Sequence, residues 1–74
     1  MQQVSYREHA ILRRPQVQQR TGLSRSTLYQ YMKEGNFPKP IALGPRSVGW
    51  LESEISEWIW ERVKLTRDGD EIQE

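Results

Sequence analysis

The sequence predicts a small mixed α/β fold, mainly helical: two short helices, a β-hairpin and a third, longer helix within 74 residues. Three observations predict it. The stretch from Thr21 to Pro40, TGLSRSTLYQYMKEGNFPKP, reads as a turn, a short helix and an abrupt exit. Ile41-Ala42-Leu43 and Val48-Gly49-Trp50 flank Gly44-Pro45-Arg46-Ser47, which reads as two strands around a turn. From Leu51 onward, apolar residues recur at helical spacing.

Met1 to Ala10 shows no period and is expected to be a flexible N-terminal arm over residues 1–10. Its single His9 has no neighbouring set of His, Asp or Glu at ligand spacing, so no metal site is expected. Ile11 and Leu12 open the ordered part. Pro15 suits a first helical turn, which predicts a short helix from about Arg14 to Thr21. Val17, with the flanking Leu12 and Leu23, marks its buried side, while Gln16, Gln18, Gln19 and Arg20 leave the rest polar. So thin an apolar face is stable only when packed on the next helix.

Gly22-Leu23 is a tight break, and Ser24 can cap the second helix by accepting from its orphan backbone N–H groups. Leu28, Tyr31 and Met32 form one apolar seam, with Arg25, Ser26, Tyr29, Gln30 and Lys33 mostly on the other face. Gly35 supplies the left-handed residue that stops the helix, and Pro38 and Pro40 keep it from restarting. In the hairpin, alternation predicts Ile41, Leu43, Val48 and Trp50 on one face, Ala42 and Gly49 on the other, and Arg46 at or beside the tip. The third helix is expected from Leu51 to about Lys64, with Leu51, Ile55, Trp58, Ile59 and Val63 as its buried stripe. Glu54, Glu57 and Glu61 make an acidic outer face. The polar segment 66–74 is expected to be a disordered acidic tail, leaving residues 11–65 as the folded domain.

The net charge of +1 conceals a division. Residues 1–51 carry eight basic against two acidic side chains, and residues 52–74 carry three basic against eight acidic. One part is therefore attracted to polyanions and the other avoids them. No cysteine is present, which rules out disulfides and thiolate metal sites. No apolar run is long enough for a signal peptide or membrane helix, so a cytoplasmic protein is expected. No nucleophile–base set or phosphate-cradling glycine loop is visible, and neither an enzyme, a cofactor nor a small-molecule substrate is expected.

Two short helices joined through Gly22 describe a helix-turn-helix, and the hairpin supplies a wing. The order helix, helix, hairpin, helix resembles the AlpA family of small phage and prophage regulators. It is more loosely similar to the winged helix-turn-helix domains of MerR-type proteins and phage excisionases. The residues that carry the resemblance run from about Ile11 to Val63. They are the Val17-to-Gly22 segment, Gly22-Leu23-Ser24-Arg25-Ser26-Thr27-Leu28-Tyr29, Gly35-Asn36-Phe37-Pro38-Lys39-Pro40, the Gly44-to-Trp50 wing and the Ile55…Trp58-Ile59 helix. The resemblance implies sequence-specific binding of double-stranded DNA in transcription control, with excision as a second role of the same class. Trp60 departs from the pattern, standing off the buried stripe where a polar residue is usual.

A short helix with one apolar seam and a basic, hydrogen-bonding opposite face suits a DNA major groove. Arg25 opens that helix, where an arginine can donate to guanine O6 and N7. Ser26 and Thr27 are candidates for phosphate contact, Thr27 equally for helix capping. Tyr29 and Gln30 are candidates for base or phosphate contact, or simply exposed, and Lys33 for phosphate. Arg46 on the wing, with Arg13 and Arg14 before the first helix, could grip backbone or minor groove, or could be solvated surface. Trp60 either lies flat on its own hairpin or arm, or makes a weak self-contact along DNA. The alternative from another class is a protein-interaction adaptor using Trp60 and the acidic third helix.

Overall fold

The computed structural model describes residues 10–69. In chain order these form β1 (Ile11–Leu12), α1 (Arg14–Thr21), α2 (Arg25–Lys33), β2 (Ile41–Gly44), β3 (Ser47–Leu51) and α3 (Glu52–Gly69). Residues 1–9 of the expected arm, with His9, and residues 70–74 of the expected tail lie outside the described residues. Among the described residues no helix is long and apolar enough to cross a membrane. The mainly helical α/β architecture, with two short helices, a hairpin and a third helix, is the one the sequence predicts.

The strand β1 is an addition. Ile11 pairs with Leu51 and Leu12 with Trp50, so the sheet has three antiparallel strands in the order β1-β3-β2. A further bond, from Glu52 N–H to the Ala10 carbonyl at 2.9 Å, carries the pairing up to the start of α3. A lone hairpin is marginal in water, and the third strand supplies the support it needs.

The hairpin faces differ from the expected ones. Gly44 pairs with Ser47, Ala42 with Val48 and Ile41 with Gly49, leaving Leu43 as an extra residue between two pairs. A regular ladder from Gly44 and Ser47 would have set Leu43 against Val48 and Ile41 against Trp50. The bulge at Leu43 slips the register by one, and a one-residue slip moves a side chain to the other face. Ile41 and Leu43 therefore part from Val48 and Trp50, and join Gly49 on the face opposite Trp50. A Cβ on Gly49 would collide with Ile11 Cγ2 and come within 3.1 Å of the Leu12 carbonyl and 3.2 Å of Leu43 Cδ1. That close approach is why glycine stands there.

Nearly every element gives the core one residue. Leu12 comes from β1, Val17 from α1, Leu28 from α2, Phe37 from the segment after α2, Trp50 from β3 and Ile55 from α3. Leu23, Tyr31, Met32, Trp58 and Ile59 pack around them, half-buried. The ion pair Arg20–Glu52, at 2.8 Å, ties α1 to the first turn of α3, and Arg20 also donates to Ser56 Oγ at 3.1 Å. One basic residue of the positive part is thus engaged inside the fold.

α3 begins at Glu52, because Leu51 closes β3, and it continues to Gly69. The four residues 66–69, expected to be disordered, are helical. Their polarity carries no apolar signal, but a helix already nucleated gains one hydrogen bond for each residue added and so continues even through residues of low propensity. Ile55 is buried and Trp58, Ile59 and Val63 are half-buried, as the stripe predicts.

Candidate nucleic-acid interface

The helix α2 is fixed at both ends. At its start the Ser24 side chain accepts from Thr27 N–H at 3.2 Å, and the Ser24 hydroxyl donates to Thr27 Oγ1 at 3.0 Å. Just before it, Gly22 takes a left-handed φ of 78° and donates its N–H to the Gln18 carbonyl. Thr21 Oγ1 donates to the Val17 carbonyl at 2.8 Å and accepts from Leu23 N–H at 3.2 Å. These bonds hold the turn between α1 and α2, and with it the angle at which α2 leaves the body.

At the other end Gly35 has a φ of 79°. Gly35 N–H donates to the Met32 carbonyl at 3.1 Å and Asn36 N–H to the Tyr31 carbonyl at 2.8 Å, the paired bonds of a Schellman stop. Two tryptophans then clamp the exit. Trp58 Nε1–H donates to the Asn36 carbonyl at 2.8 Å and Trp50 Nε1–H to the Pro38 carbonyl at 3.1 Å. Phe37 lies between them, buried, edge-on to Trp58 with ring centroids 4.9 Å apart. Sheet and α3 thereby position the end of α2.

With Leu28 buried and Tyr31 and Met32 half-buried, the opposite side of α2 is open. It carries two rows at i, i+4 spacing: Arg25–Tyr29–Lys33 and Ser26–Gln30–Glu34. All six side chains are exposed. Each row is internally paired. The Arg25 guanidinium carbon lies 5.9 Å from the Tyr29 ring centroid. Gln30 Nε2 donates to Glu34 Oε2 at 2.7 Å, and Asn36 Nδ2 donates to Glu34 Oε1 at 3.3 Å. No acidic residue stands in the first turn of α2, so its positive end is uncompensated there.

The remaining candidates are placed less uniformly. Thr27 is half-buried and its hydroxyl belongs to the Ser24 cap. Arg46 is exposed in the tight turn between β2 and β3, at the wing tip. Arg13 is exposed beside the start of α1, where its N–H donates to Gln16 Oε1 at 2.8 Å. Arg14 is half-buried and held by Gln18, with Nε donating to Oε1 at 3.1 Å. The sequence did not single out Glu34 and Asn36; the i, i+4 spacing of Gln30 and Glu34 was the available signal.

α3 presents the opposite charge. Glu54, Glu57 and Glu61 edge an open groove of about 680 Å³ whose apolar parts include Phe37, Trp58 and Leu65. Arg62 lies over Trp58, 4.9 Å from its ring centroid, and 5.6 Å from that of Tyr31. Carboxylates at these positions repel phosphate. Trp60 is 58% exposed.

The sequence profile of the family described as Prophage CP4-57 regulatory protein (AlpA) matches residues 10–63. The DNA-binding transcriptional activator AlpA of Escherichia coli (strain K12) is 46% identical over 61 residues, covering 74% of this chain and 87% of that protein. An uncharacterized protein, ORF88, of Enterobacteria phage P4 is 41% identical over 62 residues, covering 84% of this chain and 70% of that protein. The match spans β1 through most of α3, including every residue of the open α2 face, and on that extent the chain belongs to the AlpA family of prophage regulatory proteins.

Proposed function

We propose that this chain is a sequence-specific double-stranded DNA-binding transcriptional regulator, with no catalytic activity, that inserts α2 into the major groove. The observation that carries it is the open face of α2. Arg25, Ser26, Tyr29, Gln30 and Lys33 stand exposed together on a helix whose two ends are anchored to the body. That is what a recognition helix requires: side chains with donors and acceptors, on a support too rigid to yield at contact. Arg25 reads a base, Tyr29 and Gln30 contact bases or phosphate, and Ser26 and Lys33 bind phosphate. Arg46 reaches backbone from the wing, with Arg13 before α1 and Arg14 at its start doing the same; Thr27 acts through the cap. The name of the Escherichia coli relative, a DNA-binding transcriptional activator, supports the reading.

Selection from a random duplex pool is expected to enrich one motif, and binding to it is expected to weaken linearly in log affinity against log salt. Each phosphate neutralised adds about −0.9 to that slope. A pool left unenriched, or affinity indifferent to salt, would remove the assignment.

The exposure of Trp60, 58% on a domain this small, favours a second contact, between copies bound side by side on DNA. Trp60→Glu is expected to bind a single short site normally and to lose cooperativity on DNA carrying two sites. Cooperativity that survives the change, or that wild type lacks, would reject this contact.

A further inference from the structure

We infer that Glu34 is a positioning residue for base readout, fixing the side-chain amide of Gln30 so that it reads adenine. This rests on α2 being the recognition helix. A carboxylate has acceptors and no proton to give, so only the NH2 end of a neighbouring amide can face it. Gln30 Nε2 faces Glu34 Oε2 at 2.7 Å, and Asn36 Nδ2 faces Oε1 at 3.3 Å. The carboxylate therefore decides which end of the Gln30 amide is nitrogen and which is oxygen.

The rest of the amide stays available. With the Nε2 proton remote from Oε1 donated to Glu34, the second proton and Oε1 lie side by side. A donor next to an acceptor complements adenine N7 and N6 in the major groove. Without Glu34 the amide can turn over, and its donors can equally meet the acceptors of guanine or thymine.

The anchor reaches back into the core. The Asn36 N–H is bound to the Tyr31 carbonyl at 2.8 Å, and its own carbonyl accepts from Trp58 Nε1–H at 2.8 Å. Asn36 is thus pinned through its backbone and passes that fixity through its side chain to Glu34. The carboxylate also has a cost. A negative charge on the DNA-facing side of α2 repels phosphate at every sequence alike. Glu34 should consequently trade general affinity for discrimination, a signature that a merely structural role at the helix end would not produce.

The test is base preference by duplex-pool selection for wild type, Gln30→Ala, Glu34→Gln, Asn36→Ala and the Gln30→Ala/Glu34→Gln double variant, each first confirmed folded by circular dichroism. Wild type is expected to prefer adenine at one position that Gln30→Ala makes indifferent. Glu34→Gln should lower the preference at that same position about fivefold or more while binding random duplex tighter. Asn36→Ala should lower it in the same direction, and the double variant should resemble Gln30→Ala alone. Unchanged preference at the Gln30 position in Glu34→Gln overturns the inference. So does a loss at a different position, which would make Glu34 a reader of cytosine itself, or a Gln30 position that prefers another base. Wild type enriching no motif would instead overturn the DNA-binding reading beneath it.

Discussion

Trp50→Ala is expected to unfold most of the population near room temperature. Trp50 is fully buried, pairs with Leu12 across the sheet, and donates its indole N–H to the Pro38 carbonyl. Truncating a buried tryptophan costs about 3–5 kcal/mol, to which a carbonyl left without its donor adds more. A domain of this length has only about 5 kcal/mol to lose. Trp50→Phe separates the two contributions, keeping a ring in the core while removing the donor. Its melting temperature is expected to fall by roughly 5–15 °C, read by far-UV circular dichroism. Since the Pro38 carbonyl lies on the exit from α2, Trp50→Phe should also weaken specific DNA binding beyond its loss of stability. A Trp50→Ala variant melting within a few degrees of wild type would show that the core is not built around this residue.

What was legible in the sequence was local. The bounds of α1 and α2 follow from Pro15, Ser24, Gly22 and Gly35, whose backbone preferences act within a turn of where they stand. The open face of α2 follows from a period of 3.6 and needs no tertiary knowledge. What was not legible depended on residues distant in the chain or on geometry that sequence does not print. Ile11 and Leu12 are too short a pair to show alternation, and only their pairing with Trp50 and Leu51 makes them a strand. The bulge at Leu43 sits in a hairpin whose turn residues are compatible with a regular ladder, so nothing local announced the slipped register. In sequence Arg20 is part of the polar side of α1, and its partner Glu52 stands 32 residues away. Phe37 read as part of an extended exit, yet it is buried because Trp58 and the sheet close over it. At the site, the same limit hid Asn36. Its role arises from a backbone pinned by Trp58, which no pattern within α2 reveals.

Arg25→Ala is expected to weaken binding to the selected motif by about 1–3 kcal/mol and to relax preference at one guanine position. Arg25 is the first residue of α2, exposed, with its guanidinium 5.9 Å from the Tyr29 ring centroid. That contact restricts where the guanidinium can sit before DNA arrives, and at an exposed site it is worth about 0.5–1 kcal/mol. The informative comparison is Arg25→Lys. Lysine keeps the charge but lacks the planar fork that matches guanine O6 and N7 together. Arg25→Lys should therefore hold wild-type affinity for random duplex and an unchanged salt slope, while losing most of the guanine preference. Tyr29→Ala should give a smaller loss at that same position, because Arg25 remains but is less well placed. All four proteins would be titrated at one salt concentration against the selected motif and a scrambled duplex. If Arg25→Ala lowers both affinities equally, the residue grips phosphate and base readout lies elsewhere on α2. If Arg25→Lys retains the guanine preference, charge rather than the fork is what the position supplies.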